Sequence, residues 1–257
     1  MKKQFLDEWV KRDFWLRESN PKGDLDVIDE VVTRDMYGMR MYAKSYPAPS
    51  LVLDVGAHIG TFSVLAKTLW PDVMVIAFEP NPESFELLEA NTRDFSGVAC
   101  VNAAVSYGER PDLVYVKSLK STGSGFVIER EKAAHAIEWK DGADHVGYEI
   151  TDIPINVVTI EDKLPKQYKG FLTEDVFIND YPGGILMKLD AELAEVILLN
   201  GLSPEIAQKL VAIFGEYHCE GGWNEFLERV DVSKYPQLRF SNENPDLTQP
   251  IGLFRAI

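Results

Sequence analysis

Leu51-Val52-Leu53-Asp54-Val55-Gly56-Ala57-His58-Ile59-Gly60-Thr61 is the stretch that decides the fold. An apolar run stops at an acid and a glycine turn, and helix-compatible residues follow. Downstream, Val75-Ile76-Ala77-Phe78-Glu79-Pro80 repeats the apolar run and again ends in an acid. The interval from Asp54 to Glu79 matches one strand–helix–strand unit that binds a nucleotide. Glycine lets backbone approach a ligand where a Cβ would clash. A carboxylate at the tip of the second strand can accept both hydroxyls of a ribose. Together these features read as a nucleoside-cofactor site on an α/β sheet.

The glycine spacing narrows the cofactor. A dinucleotide loop reads Gly-x-Gly-x-x-Gly, its middle glycine leaving room for a pyrophosphate. Here His58 stands at that place, and the pattern is Asp-x-Gly-x-x-x-Gly. A bulky residue there argues for a cofactor without phosphates and against a nicotinamide oxidoreductase. S-adenosylmethionine fits, because its methionine carboxylate can be met by the N–H groups and positive dipole end of a helix opening near Ile59.

At 257 residues the chain can bury a large core as one α/β domain, or as one domain with an appendage. A hydrophobic content of 46% with 26% charged residues is globular. The sequence holds no apolar stretch long enough for a membrane span. Met1-Lys2-Lys3-Gln4-Phe5-Leu6 lacks the apolar core of a signal peptide, so the cytoplasm is the expected location. Cys100 and Cys219 make neither a disulfide framework nor a metal cluster. A net charge of −15 weighs against nucleic acid and anionic membranes as partners, and mainly favours solubility.

Residues 1–50 read as an N-terminal helical cap and residues 51–257 as the cofactor-binding domain. Phe5 to Arg17 and Leu25 to Tyr37 carry apolar residues at mixed three- and four-residue spacings, suggesting two helices joined by Asn20-Pro21-Lys22-Gly23. Tyr37, Met39, Met41, Tyr42 and Tyr46 form a cluster expected to pack in the core and to adjoin the ligand. From Leu51 strands and helices alternate, the pattern of a mostly parallel sheet covered on both faces. Ala99 to Val105, Ile185 to Leu189 and Leu210 to Phe214 are the next strands, with a helix from Leu193 closed by Gly201. Leu238 to Phe240 and Ile251 to Ile257 suggest a terminal hairpin. Between Tyr107 and Leu164 the periodicity weakens. Short strands there flank the loop Ser121-Thr122-Gly123-Ser124-Gly125, and His135, Trp139 and His145 follow, an insertion suited to substrate specificity.

Four blocks occur in an order that resembles the FkbM family: Val52 to Gly60, Phe78-Glu79-Pro80-Asn81-Pro82, Asn102-Ala103-Ala104-Val105-Ser106 and Met187-Lys188-Leu189-Asp190-Ala191-Glu192. The resemblance runs from about Asp24 to His218. It implies a Rossmann-like class I methyltransferase fold, a seven-stranded, mostly parallel sheet with its last strand antiparallel. It also implies S-adenosylmethionine-dependent O-methylation of a small molecule or sugar. One position departs: Leu193 stands where the family has glycine after the acidic block, which bears on the acceptor pocket. That departure keeps a second reading open, a catalytically silent S-adenosylmethionine-binding regulatory or assembly protein.

Under this reading, Asp54 positions the cofactor ammonium and Gly56, Ala57, His58, Gly60 and Thr61 surround its methionine portion. Glu79 takes the ribose hydroxyls, with Pro80 and Asn81 beside it. Asn102 and Ala103 meet adenine, for which an amide can both donate and accept. His58, where the loop commonly has asparagine, reads as conformational. A hydroxyl acceptor has a high pKa, so a general base or a metal should assist. Asp190, Glu192 and His218, with Glu216 nearby, fall at the carboxyl ends of neighbouring strands, where open α/β sheets bind ligands. Asp190 is the favoured base and no metal is expected.

Overall fold

The computed structural model describes residues 1–6, 8–107, 113–118, 125–144, 148–151, 156–160 and 182–257. Of the two helices expected in the N-terminal segment, the second is present over Pro21–Thr33, while the first is replaced by a hairpin. β1 (Lys2–Leu6) and β2 (Lys11–Trp15) form an antiparallel hairpin with Lys2 opposite Trp15. Val10, Phe14 and Leu16 are buried, a period of two that the mixed spacings concealed. Asn20-Pro21-Lys22-Gly23 is a helix start, not a linker. The Asn20 side chain accepts from the Gly23 amide at 3.1 Å, and Pro21 opens α1 (Pro21–Ile28). A π-helical turn (Asp29–Thr33) prolongs it, and α2 (Met39–Ser45) follows Gly38. Residues 1–50 are thus a hairpin with helices, which corrects the all-helical cap. Phe14, Ile28, Val32, Met39 and Tyr42 share one buried cluster with Val52, Phe62, Val75 and Phe214. Tyr37, Met39 and Tyr42 take the packing role, while Met41 and Tyr46 stay exposed.

The two apolar runs are β3 (Leu51–Val55) and β4 (Met74–Phe78), joined by α3 (Thr61–Leu69). α4 (Pro82–Thr92), capped by Asn81, leads to β5 (Val98–Val101). The strand expected over 99–105 breaks at Asn102 and Ala103, and β6 (Ala104–Val105) leaves the main sheet. The insertion builds β7 (Leu113–Ser118), β8 (Gly125–Glu129), α5 (Arg130–Asp144) and β9 (Tyr148–Thr151). These strands form a separate antiparallel sheet in the order β8-β7-β9, and β10 (Val157–Val158) pairs with β6. Residues 121–124 of the expected loop, and His145, lie outside the described residues.

β11 (Ile185–Leu189) matches the expected fourth strand. The helix after it starts later than the sequence suggested, as α6 (Glu195–Gly201). Glu192 and Leu193 have φ of 50° and 83°, left-handed values that no helix accommodates. α7 (Pro204–Lys209) then precedes β12 (Leu210–His218), which runs on to include Glu216 and His218. α8 (Gly222–Arg229) and the antiparallel pair β13 (Phe240–Asn242) and β14 (Ile251–Ala256) complete the chain.

The main sheet has seven strands in the order β13-β14-β12-β11-β3-β4-β5. The five from β12 to β5 are parallel, and β14 runs antiparallel between β12 and β13. That is the class I arrangement with an antiparallel last strand. Every residue of β3 and β11 is buried, as a central parallel strand covered on both faces requires. The chain order reverses between β3 and β11, so a crevice opens at their carboxyl ends. Among the described residues, no helix is long and apolar enough to cross a membrane.

Candidate active site

A cavity of about 900 Å³ occupies that crevice, roofed by residues of α5. Its volume suits a nucleoside-sized ligand together with a second small molecule. The glycine loop forms one wall. Gly56 has φ of 77°, and a Cβ there would sit 1.8 Å from the Asp190 carbonyl oxygen, so only glycine fits. The amides of Gly56 and Ala57 both donate to the Phe78 carbonyl, at 3.1 and 2.9 Å, and that of Gly60 donates to Ala57. These loop amides are therefore engaged within the fold rather than reserved for a ligand carboxylate. Thr61 Oγ1, at the start of α3, is buried beside the cavity and has no hydrogen-bond partner among the described residues. A buried hydroxyl without a partner is costly, and a bound polar group would satisfy it.

Glu79 directly follows β4, with both carboxylate oxygens fixed. Oε2 accepts from the His58 amide at 2.8 Å and Oε1 from the Asn81 amide at 2.9 Å. Each oxygen keeps a second lone pair, as a ribose diol requires. Burial pushes Glu79 up to about 7, against the opposing pull of those two amides and of the Lys188 and Arg17 charges. Gly56, Ala57, His58, Thr61, Pro80 and Ala103 line the cavity with it.

Four expected cofactor residues stand behind that wall. Asp54 is fully buried, accepts from Ser63 Oγ at 2.6 Å and lies 3.9 Å from Lys188 Nζ. Asn81 caps α4 and donates its amide to the Tyr115 hydroxyl at 2.9 Å. The Asn102 amide donates to the carbonyls of Glu79 and Pro80, at 2.9 and 3.3 Å, and so holds the turn after β4. Gly60, at φ of 87°, packs on Leu88.

Beyond the ends of β11 and β12, Asp190, Glu192 and His218 converge, with ligand-capable atoms within 4.8 Å of one another. His218 is clamped: Nδ1 lies 3.1 Å from Glu195 Oε1 and Nε2 lies 3.2 Å from Glu192 Oε2. Burial alone would lower it, but Glu195 and then Glu192 outweigh burial and Lys140 to raise it to about 9. At neutral pH it is an imidazolium donating from both nitrogens. Glu192 also pairs with Lys140 of α5; burial would raise it, yet Lys140 and His218 bring it to about 2. Lys188 Nζ donates to the Gly56 carbonyl at 2.6 Å and lies 3.3 Å from Asp190 Oδ2, which the Tyr37 hydroxyl approaches at 3.4 Å. Burial would lower Lys188, but Asp190, Asp54 and Glu216 hold it above its ordinary value. Glu216 faces the same cavity, pushed up to about 8 by burial and by Asp190. A divalent cation on this cluster would compete with two ammonium groups already seated there.

Sequence reading missed Lys188, although a cation inside the apolar strand Ile185-Leu186-Met187-Lys188-Leu189 is a visible signal. Lys140 and Arg17 carried no such signal, because only the fold brings them to Glu192 and His58.

Over residues 54–234 the chain matches the family described as Methyltransferase FkbM domain. It is 23% identical over 192 residues to Methyltransferase 1 of Beauveria bassiana (strain ARSEF 2860), covering 73% of this chain and 72% of that protein. Methyltransferase sdnD of Sordaria araneosa is 27% identical over 174 residues, which is 62% of either chain. The solved structure of methyltransferase FkbM from Methylobacillus flagellatus KT aligns with a TM-score of 0.43 at 13% identity, over 80% of this chain and 43% of that one.

Proposed function

Because the chain belongs to the FkbM methyltransferase domain family, we propose that it methylates a hydroxyl of a small molecule or sugar, using S-adenosylmethionine. The observation that carries this reading is Glu79, whose two oxygens are each fixed by a backbone amide and which lines a cavity shared with Asp190. Glu79 would hold the ribose and Thr61 Oγ1 the methionine end. The backbone from Gly56 to His58 and the Pro80 and Ala103 walls would flank the rest. Bound S-adenosylmethionine supplies an electrophilic methyl group.

The chain's own part is to align the hydroxyl, exclude water and take a proton. Asp190 is the proposed base. His218 is already protonated at neutral pH, and Glu192 is committed to Lys140 and His218. Those two residues shape the acceptor side instead. The acidic balance of the chain, −15 overall, supports a small acceptor over nucleic acid.

Leu193, held at φ of 83° where the family carries glycine, favours one rival: a silent S-adenosylmethionine-binding protein. Incubating the purified protein with S-adenosylmethionine and a panel of sugars and phenols, with mass detection of S-adenosylhomocysteine, tests the proposal. Product formation supports methyl transfer. Cofactor binding without product across the panel favours the silent reading, and absence of binding overturns both.

A further inference from the structure

Arg17 and Asp24 lie in the N-terminal segment, outside the stretch matching the family. Both are buried, and they are paired: Arg17 Nε donates to Asp24 Oδ1 at 2.9 Å and the Arg17 amide donates to Oδ2 at 2.6 Å. Such a pair has a cost in desolvation, so a specific use is expected of it. The guanidinium reaches across to the cofactor loop, where Arg17 Nη2 stands 2.7 Å from His58 Nε2. Arginine can only donate, so toward Arg17 this imidazole nitrogen accepts, and the same nitrogen lies 3.4 Å from Asp24 Oδ1.

His58 has φ of 53°, a left-handed conformation unfavourable for a residue with a side chain. The amide of this same residue donates to Glu79 Oε2 at 2.8 Å. A second tie runs alongside. Asn91 accepts from the Trp15 amide at 2.7 Å and donates to the Ile59 carbonyl at 2.8 Å. Arg17 itself is not among the residues lining the cavity.

We propose that Arg17, set by Asp24, is a positioning residue for the cofactor ribose: it holds the His58 turn, and the His58 amide in turn holds the Glu79 carboxylate. The role rests on the cofactor reading above. It also explains why a histidine stands in this loop, since its ring reaches the guanidinium. The Arg17 charge acts in the same direction, favouring ionised Glu79.

The test compares binding of S-adenosylhomocysteine and of its 2′-deoxyadenosine analogue by calorimetry, on the full chain. The variants are Arg17→Met/Asp24→Leu, which leaves no buried charge unpaired, and His58→Asn, which tolerates the left-handed turn but is too short to reach Arg17. Both should keep the wild-type circular dichroism spectrum and lose about tenfold in affinity for S-adenosylhomocysteine, the worth of one hydrogen bond to a charged group. The deoxy analogue, lacking one of the hydroxyls that Glu79 takes, should lose less, so selectivity for the ribose shrinks. Equal weakening of both ligands would mean a merely structural role and overturn the proposal. So would unchanged selectivity in either folded variant. If Arg17→Met/Asp24→Leu does not fold, His58→Asn alone decides. Failure of the wild-type protein to bind S-adenosylhomocysteine overturns the cofactor reading itself, and this role with it.

Discussion

At the scale of single residues, the proposed site divides into carboxylates that keep unused lone pairs and groups already paired with opposite charges. Glu79 belongs to the first kind. Burial raises it to about 7, and only its ionised form can accept two hydroxyls. Affinity for S-adenosylhomocysteine should therefore fall as pH drops through about 7, approaching tenfold per unit below it. Glu79→Gln should bind weakly and without that slope; calorimetry at several pH values checks both, and a pH-independent wild type would refute the assignment. Asp190 and His218 are separated by the same logic. Asp190→Asn should keep cofactor binding while turnover falls about 10²–10⁴-fold, the usual loss for a general base. His218→Asn should lose less, because its imidazolium has no free nitrogen at neutral pH. Near-wild-type turnover in Asp190→Asn would mean that the proton leaves by another route and that this carboxylate is structural.

At the scale of elements, the turn between β11 and α6 shows how a local departure is absorbed. Leu193 takes a backbone conformation suited to glycine, yet its side chain packs on the Val114, Val116, Ala133 and Ala136 cluster of the insertion. Leu193→Gly removes the strain and the contact together, so stability should change by no more than about 1 kcal/mol. Leu193→Ala loses the contact and keeps the strain, and should be the less stable variant by about 1 kcal/mol. Urea denaturation orders the two; an alanine variant as stable as the glycine one would show that the turn is not strained. The N-terminal hairpin teaches a complementary lesson. Val10, Phe14 and Leu16 alternate as a strand should, but flanking aromatics at other positions gave the stretch a helical look. Pairing with β1 settled the matter, and such pairing is invisible within one short window.

At the scale of the whole molecule, the buried charges link stability to pH. His218 is raised from 6.5 to about 9, so its stabilisation is complete below about 6.5 and is lost as pH rises through about 9. Glu216, raised from 4.5 to about 8, adds a loss of the same sign that begins as pH rises above 4.5 and is complete by about 8. Glu192, lowered from 4.5 to about 2, contributes above 4.5 and loses that contribution as pH falls toward 2. Stability should therefore peak in mildly acidic solution and decline through neutral pH into the alkaline range. His218→Gln should flatten the alkaline limb in urea midpoints; an identical limb would separate His218 from this effect. Deleting residues 1–36 should disrupt the core. It removes Phe14, Ile28 and Val32 from a cluster that also holds Val52 and Val75 of the central strands, and the remainder should lose its cooperative unfolding transition.

The apolar runs, the glycine loop and the acid ending each run were sufficient, by themselves, to establish the cofactor half of this fold. Those signals are contiguous, and their spacing reflects the rise of a strand and the length of a crossover helix. The blocks after the third and fourth strands extended the reading to the family. Tertiary structure alone decided which polar residues face the cavity and which support it. Asp54, Asn81 and Asn102 lie in the right motifs, yet their side chains are bound to Ser63, Tyr115 and the turn after β4. Lys140 on Glu192, Glu195 on His218 and Arg17 on His58 join residues distant in sequence. No periodicity encodes such partners, because a charge selects them by where the packed chain places it and by how little water remains between them.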